Sequence, residues 1–168
     1  MISKKIFGFF LLTIFLTQLL LLLFFNRTYL LGSYDASYWK ERFEHSQWSM
    51  PLSNRIIGDD GLFSYVGYRL ADGEDPSKIN PETQPVGKYL IGFSIQIFKN
   101  PVYYSLVLGF LTLSVFFLLT KKVFKNNLVA FVPVLVLFLD PLFYTQLWKP
   151  WIDITQLFFL FCNILLIF

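Results

Sequence analysis

The feature that most constrains this chain is a run of twenty residues without a charge, Ile6 to Phe25, directly after two lysines. A helix rises about 1.5 Å per residue, so about twenty residues cross the roughly 30 Å hydrocarbon core of a bilayer. A cleaved signal peptide would have an apolar core of about 7–15 residues followed by a small-residue cleavage site. Here the run is longer and ends in Phe24-Phe25-Asn26-Arg27, which favours an uncleaved membrane anchor.

Three further hydrophobic stretches follow, at residues 100–120, 128–148 and 154–168. The middle one is interrupted by Asp140-Pro141, and the last is only fifteen residues long. A helix of that length covers about 22 Å, so we expect either a chain cut short within the helix or a terminal helix seated in a bundle. The sequence therefore predicts one all-α integral membrane domain with about four transmembrane helices, the first at residues 6–25.

Composition supports a membrane class, because charged residues make up only 15% of the chain. A soluble domain carries about 25% charge, which is what covers its surface. The single cysteine excludes a disulfide framework, and one histidine excludes a Cys/His metal cluster. The net charge of +3 gives no indication of a nucleic-acid partner, and we expect none.

Lysines indicate the orientation. Those near the first and second hydrophobic stretches fall on one side of the membrane with no acidic residue among them: Lys4, Lys5, Lys121, Lys122 and Lys125. This is the positive-inside pattern, so we expect a multi-pass protein of the plasma membrane with a cytoplasmic N-terminus and a cytoplasmic turn at 121–127. Residues 26–99, the long loop, and the turn at 149–153 then lie outside.

The long loop is expected to be ordered, because it is rich in Tyr and Trp and carries helical patterns. Loops of this length are usually functional or disordered. We predict short helices at 36–48 and 61–71, turns at 73–85, and an amphipathic helix at 87–98 that lies along the membrane surface. The chemistry of the chain should therefore be sought in this loop.

Asp59-Asp60 is the first candidate site, since the pair precedes a predicted helix. One interpretation is a helix cap plus one solvated acid. The other is a general base held close to the membrane, where it stays ionised and can reach a substrate proton. Lys88 also has two interpretations: a lysine that extends its amine to the membrane surface, or a cation that contacts phosphate at the headgroup level.

Asp140 and Asp153 flank an outer turn that contains Lys149. Ionisable groups at the border of a membrane span are costly, which makes them functional candidates. Asp140-Pro141 can equally be a helix break at the interface, and we keep both interpretations open. His45 is expected to be a surface residue of a short helix.

The order of these features resembles the N-terminal part of the GT-C membrane glycosyltransferases. The motifs are Gly58-Asp59-Asp60-Gly61-Leu62-Phe63-Ser64-Tyr65, Gly73-Glu74-Asp75-Pro76, Gln84-Pro85-Val86-Gly87-Lys88-Tyr89-Leu90, and Leu139-Asp140-Pro141-Leu142 through Lys149 to Ile152-Asp153. The most similar branch is protein O-mannosyltransferase-like (glycosyltransferase family 39), which also resembles the lipid A aminoarabinose transferases. Members have about a dozen membrane helices, so this chain is similar to their N-terminal portion only.

The resemblance implies a function and a site. Asp59 matches the catalytic first acid of the family's Asp-Glu pair, and Asp60 stands in place of the Glu. The donor would be a sugar on a polyprenyl phosphate, transferred with inversion to an acceptor protein, glycan or lipid outside the membrane. Lys88, with Lys149 and Asp153, would bind the substrate and its phosphate. No cofactor is required, and a divalent metal at the acidic pair is compatible with the family. The alternative is a small non-catalytic membrane protein whose outer loop serves partner binding or assembly.

Overall fold

The computed structural model describes residues 4–167, and all regular structure in that range is helical. The helices are α1 (Lys4–Phe25), α2 (Arg27–Leu31), α3 (Ala36–Glu44), α4 (Asp59–Ala71), α5 (Pro85–Phe98), α6 (Val102–Val123), α7 (Asn127–Leu139), α8 (Pro141–Gln146) and α9 (Asp153–Ile167). Phe168, where the fourth predicted hydrophobic helix ends, lies outside the described residues. The predicted all-α class is confirmed for this part of the chain.

Two helices, α1 and α6, are long and apolar enough to span a membrane, at 22 residues each. Their charges lie at one end of each helix: Lys4 and Lys5 begin α1, and Lys121 and Lys122 fall in the last turn of α6. Positive charge is favoured in the last turn of a helix by the helix dipole. The apolar helices α7 and α9 are shorter, at 13 and 15 residues. Within residues 4–167 there are thus two candidate spans of full length rather than four.

The third hydrophobic stretch is divided into α7 and α8 by Asp140. The Asp140 carboxylate accepts the backbone N–H of Phe143 at 2.9 Å, and Pro141 occupies the first position of α8, where no N–H is needed. This geometry is that of a helix break, the second of the two interpretations of Asp140-Pro141. α6 is central to the bundle, because it packs against both α7 and α9, and α7 also contacts α1.

The long loop folds over one end of this bundle. α4 begins at Asp59, two residues before the predicted start, and α3 ends at Glu44 rather than at Trp48. The predicted surface helix is α5. The first half of its polar stripe faces protein, since Lys88 and Gly92 are buried, whereas Gln96 and Lys99 further along the stripe are exposed. α4 and α5 form the most extensive helix pair in the molecule.

Polar contacts hold the long loop on the bundle. The buried amide of Asn100 donates to the carbonyls of Tyr29, Leu30 and Gly32 at 2.8, 3.1 and 2.7 Å, which ties the start of α6 to the end of α2. The hydroxyls of Tyr104 and Thr155 are hydrogen-bonded between α6 and α9. These contacts fix the N-terminal end of α9 beside the long loop.

Candidate active site

Asp59 is the first residue of α4 and is solvent-exposed. Gly58 precedes it as an N-cap without a side chain, so no cap side chain competes for the free backbone N–H groups of this helix end. Negative charge is stabilised near a helix N-terminus. Asp59 forms no salt bridge with any of residues 4–167, so its carboxylate is free to interact with a ligand.

A cavity of about 380 Å³ lies in front of Asp59. We call it the acidic cavity, because three carboxylic acids line it: Asp59 from α4, Glu82 from the turn before α5, and Asp153 from the start of α9. The rest of its wall is formed by Trp48, Leu62, Phe63, Asn80, Thr83, Gln84, Ile152 and Gln156. The fold therefore brings together two predicted site residues, Asp59 and Asp153, that are far apart in sequence.

A second cavity, the α9 groove, continues from the acidic cavity. It has a volume of about 450 Å³ and is lined by Gln84, Val86, Gly87, Ile152, Thr155, Gln156, Phe159, Leu160 and Asn163. Gln84, Ile152 and Gln156 line both cavities. The groove follows the apolar helix α9 past the N-terminus of α5, so a long ligand could occupy both spaces at once.

The N-terminus of α5 is held against α9 by close packing at Gly87. A Cβ built at Gly87 would lie 2.9 Å from Cγ2 of Ile152 and 3.1 Å from the hydroxyl of Thr155. Only a residue without a side chain allows this approach. The glycine thereby lets the first turn of α5 lie directly against the start of α9.

Lys88 lies behind the wall of the acidic cavity rather than in it. Its side chain is only 1% exposed, and its Nζ donates to the carbonyl oxygen of Asn80, a residue that does line the cavity. Burial lowers the pKa of Lys88, and the neighbouring charge of Glu82 opposes this shift. Asn80 is held with a positive φ of 47°, which turns the chain back toward Lys88.

The other two predicted site residues lie elsewhere. Asp60 lines a separate cavity of about 180 Å³ together with Tyr34 and Ser64. The Nζ of Lys149 lies 5.2 Å from the ring centre of Trp148 and 5.5 Å from that of Trp151, a cation–π arrangement. Neither Asp60 nor Lys149 lines the acidic cavity.

Sequence reasoning did not single out four residues of the acidic cavity and its groove: Trp48, Glu82, Gln84 and Gln156. Gln156 carried a detectable signal, because it is one of the few polar residues in the mostly apolar α9. Glu82 and Gln84 lie in a turn-rich segment, where polar residues are expected in any case. His45 is exposed at the end of α3, as expected, and its Nδ1 lies 2.9 Å from the carbonyl oxygen of Glu41.

The arrangement offers an exposed carboxylate for proton transfer. Among residues 4–167, no group of three or more His, Cys, Asp and Glu side chains is close enough together to hold a metal ion. An exposed carboxylate on a cavity wall can accept a proton from a bound hydroxyl or amine. Comparison with protein-family models, with curated proteins and with solved structures finds no match to this chain. The class is therefore defined by fold and site alone: a helical chain with two candidate membrane spans and an acidic cavity at one end.

Proposed function

We propose that this chain is a membrane glycosyltransferase, or the N-terminal portion of one, that moves a sugar from a polyprenyl-phosphate donor to an acceptor at the outer membrane face. The observation that carries the proposal is that the acidic cavity, which Asp59 lines, adjoins the α9 groove, with Gln84, Ile152 and Gln156 in both walls. A lipid-linked sugar needs both parts: an apolar channel for the lipid chain and a polar chamber for the sugar.

The proposed membrane placement follows the charge pattern. α1 and α6 are full spans, α7 with α8 and α9 complete about four membrane segments, and the N-terminus is cytoplasmic. The long loop then lies outside, and the acidic cavity opens at the outer surface. A polyprenyl donor in the outer leaflet reaches this cavity from the side, along α9.

The donor phosphate is proposed to lie at the N-terminus of α5. The free N–H groups of a helix N-terminus favour an anion, and Val86, the second residue of α5, is exposed in the wall of the α9 groove. Lys88 is the fourth residue of α5, and its positive charge favours an anion at the same end of the helix. Neither Asp59 nor Asp153, whose charges would repel the phosphate, lines the α9 groove.

Asp59 is proposed as the general base. It takes the proton of the acceptor hydroxyl or amine while the acceptor atom attacks the anomeric carbon of the sugar. The bond between that carbon and the phosphate oxygen breaks in the same step, so the configuration at the anomeric carbon inverts. The electron pair leaves on the lipid phosphate near α5, and Asp153 on the opposite wall orients the sugar.

The test is donor turnover by the full chain in vesicles, with labelled sugar on a polyprenyl phosphate. Asp59→Asn keeps the size of the side chain but removes the base, and we expect the rate to fall by about 10²–10⁴-fold. Asp72→Asn, at the opposite end of α4, is the matched control and should retain the wild-type rate. Wild-type turnover by Asp59→Asn would refute the base assignment.

The alternative function, a non-catalytic protein that binds a partner through the long loop, is favoured by one observation. The segment between α3 and α4 exposes large apolar side chains, with Leu52 97% and Ile56 71% exposed. Exposed apolar patches mark interaction surfaces. On this alternative, Leu52→Ser weakens assembly with the partner and Asp59→Asn has no effect.

A further inference from the structure

A fourth cavity, of about 430 Å³, lies beside the acidic cavity on the side away from α9. We call it the side cavity. Trp48, Asn80 and Glu82 line both it and the acidic cavity, so the two spaces adjoin at these residues. The proposed mechanism uses the acidic cavity and the α9 groove, but it assigns nothing to the side cavity.

Trp48 is the apolar element at this boundary. Its side chain is 41% exposed, and no other aromatic ring of residues 4–167 stacks against it. An exposed indole offers a large, rigid apolar face together with one N–H donor. Such a surface suits a ligand that has its own apolar face and polar edges.

The charges of the side cavity divide into paired and free groups. The guanidinium of Arg69 contacts the Glu74 carboxylate at 2.8 Å and donates to the Tyr65 hydroxyl at 2.6 Å, so it is satisfied within the protein. Lys78 and Glu82 form no salt bridge with any described residue. They remain as a donor and an acceptor for a ligand.

These features favour a saccharide over a peptide or an anion. A peptide binds by adding a strand to a sheet edge or by laying an apolar face into a groove. The described part of the long loop is helical, and the side cavity is largely polar. An anionic ligand would meet the carboxylates of Glu44, Glu74 and Glu82. A neutral pyranose has a C–H face for an indole and hydroxyl groups for Lys78 and Glu82.

We propose that the side cavity binds a pyranose ring of the acceptor, stacked on Trp48 and hydrogen-bonded to Lys78 and Glu82. The ring would present a hydroxyl across the shared boundary to Asp59. This inference rests on the proposed transferase function and names its acceptor as a carbohydrate.

The test is sugar binding by the full chain in detergent micelles, measured by ligand-observed NMR titration. The probes are methyl α-D-mannopyranoside, methyl β-D-glucopyranoside, maltotriose and a neutral Ser/Thr peptide. We expect saturable binding of at least one sugar and none of the peptide. Trp48→Ala should raise the Kd by about tenfold, and Glu82→Gln should raise it as well without changing the fold of the turn.

Tyr38→Ala is the matched control, because Tyr38 is an exposed aromatic residue of α3 that does not line the side cavity. Its Kd should equal that of the wild type. Absence of saturable sugar binding, equal affinities of the wild type, Trp48→Ala and Glu82→Gln, or preferential binding of the peptide would each overturn the proposal. The two proposals fail separately. Sugar binding that depends on Trp48 without donor turnover would refute the transferase and leave the side cavity as a sugar-binding site only. Turnover unaffected by Trp48→Ala would refute only the acceptor site.

Discussion

The crossing of α4 and α5 depends on two glycines, and replacing one of them tests how the candidate site is held together. A Cβ built at Gly92 would lie 2.0 Å from the carbonyl oxygen of Gly67 and 2.8 Å from Cβ of Ala71. A Cβ at Gly67 would lie 2.5 Å from the carbonyl oxygen of Lys88. The two backbones are thus in direct contact, and the obstructing atoms are backbone atoms that cannot rotate away.

The cost of Gly92→Ala follows from this distance. Ordinary contact begins at about 3.4 Å, so the helices must separate by about 1.4 Å at the crossing. Overpacking of a tight interface costs about 1–3 kcal/mol, and a clash with rigid backbone belongs at the upper end. Alanine regains about 1 kcal/mol over glycine in a helix. We therefore expect a net loss of about 2 kcal/mol, or a Tm about 4–8 °C lower for a chain of this size.

The assay is thermal unfolding of the purified chain in detergent, followed by tryptophan fluorescence and circular dichroism. Gly8→Ala is the matched control, because its Cβ would meet only the end of the Leu128 side chain, at 3.1 Å. That side chain can move, so the control should unfold within about 3 °C of the wild type. A Gly92→Ala variant as stable as this control would refute the close backbone contact.

The remaining predictions concern one buried amide, one buried phenol and the topology. Asn100→Ala removes the donor to three carbonyls and should destabilise the chain by about 2–4 kcal/mol in the same unfolding assay. Burial raises the pKa of Tyr34 above its ordinary value, so its contribution to stability is complete below about pH 10 and is lost as the pH rises further. The Tyr34→Phe variant should therefore lose less stability than the wild type between about pH 9 and 11.5, as measured by the fall in Tm across that range. In a Cys162→Ser background, a membrane-impermeant maleimide should label Asn54→Cys in intact cells, and Lys125→Cys only after permeabilisation.

The two longest helices could be predicted from the sequence because their signal is local. The uncharged runs at 6–25 and 100–120 correspond to α1 and α6, and their length and apolar composition are confirmed. The interruption at Asp140-Pro141 is also confirmed, since a proline after a capping acid ends one helix and begins the next by local geometry. The predicted end of α3 at Trp48 is four residues too late. The turn after Glu44 is fixed by hydrogen bonds to residues 53–57, which a local helical pattern does not reveal.

The packing of the long loop could not be predicted, because it depends on pairs distant in sequence. Gly92 is part of a polar stripe when the helix is considered alone, and only the presence of Gly67 opposite explains why a side chain is not tolerated there. Asn100 is similar. In the sequence it begins a hydrophobic run, but in the fold its amide fastens α2 to α6.

Lys88 shows where reasoning from a single helix is insufficient for the candidate site. At the end of an amphipathic helix, a lysine extends into solvent or contacts a headgroup, and the sequence offered these two interpretations. In the fold, Asn80 adopts a left-handed conformation and returns the chain over Lys88, whose amine then donates to the Asn80 carbonyl. A buried ammonium costs free energy unless hydrogen bonds or a nearby anion offset the loss of its hydration. If Lys88 only anchors the turn at 80–84, Lys88→Met should alter stability alone. If its charge also supports the donor phosphate, the same variant should weaken donor binding beyond what Asn80→Val produces. A β-branched residue is strained at the positive φ of position 80, so Asn80→Val weakens the turn but keeps the charge of Lys88.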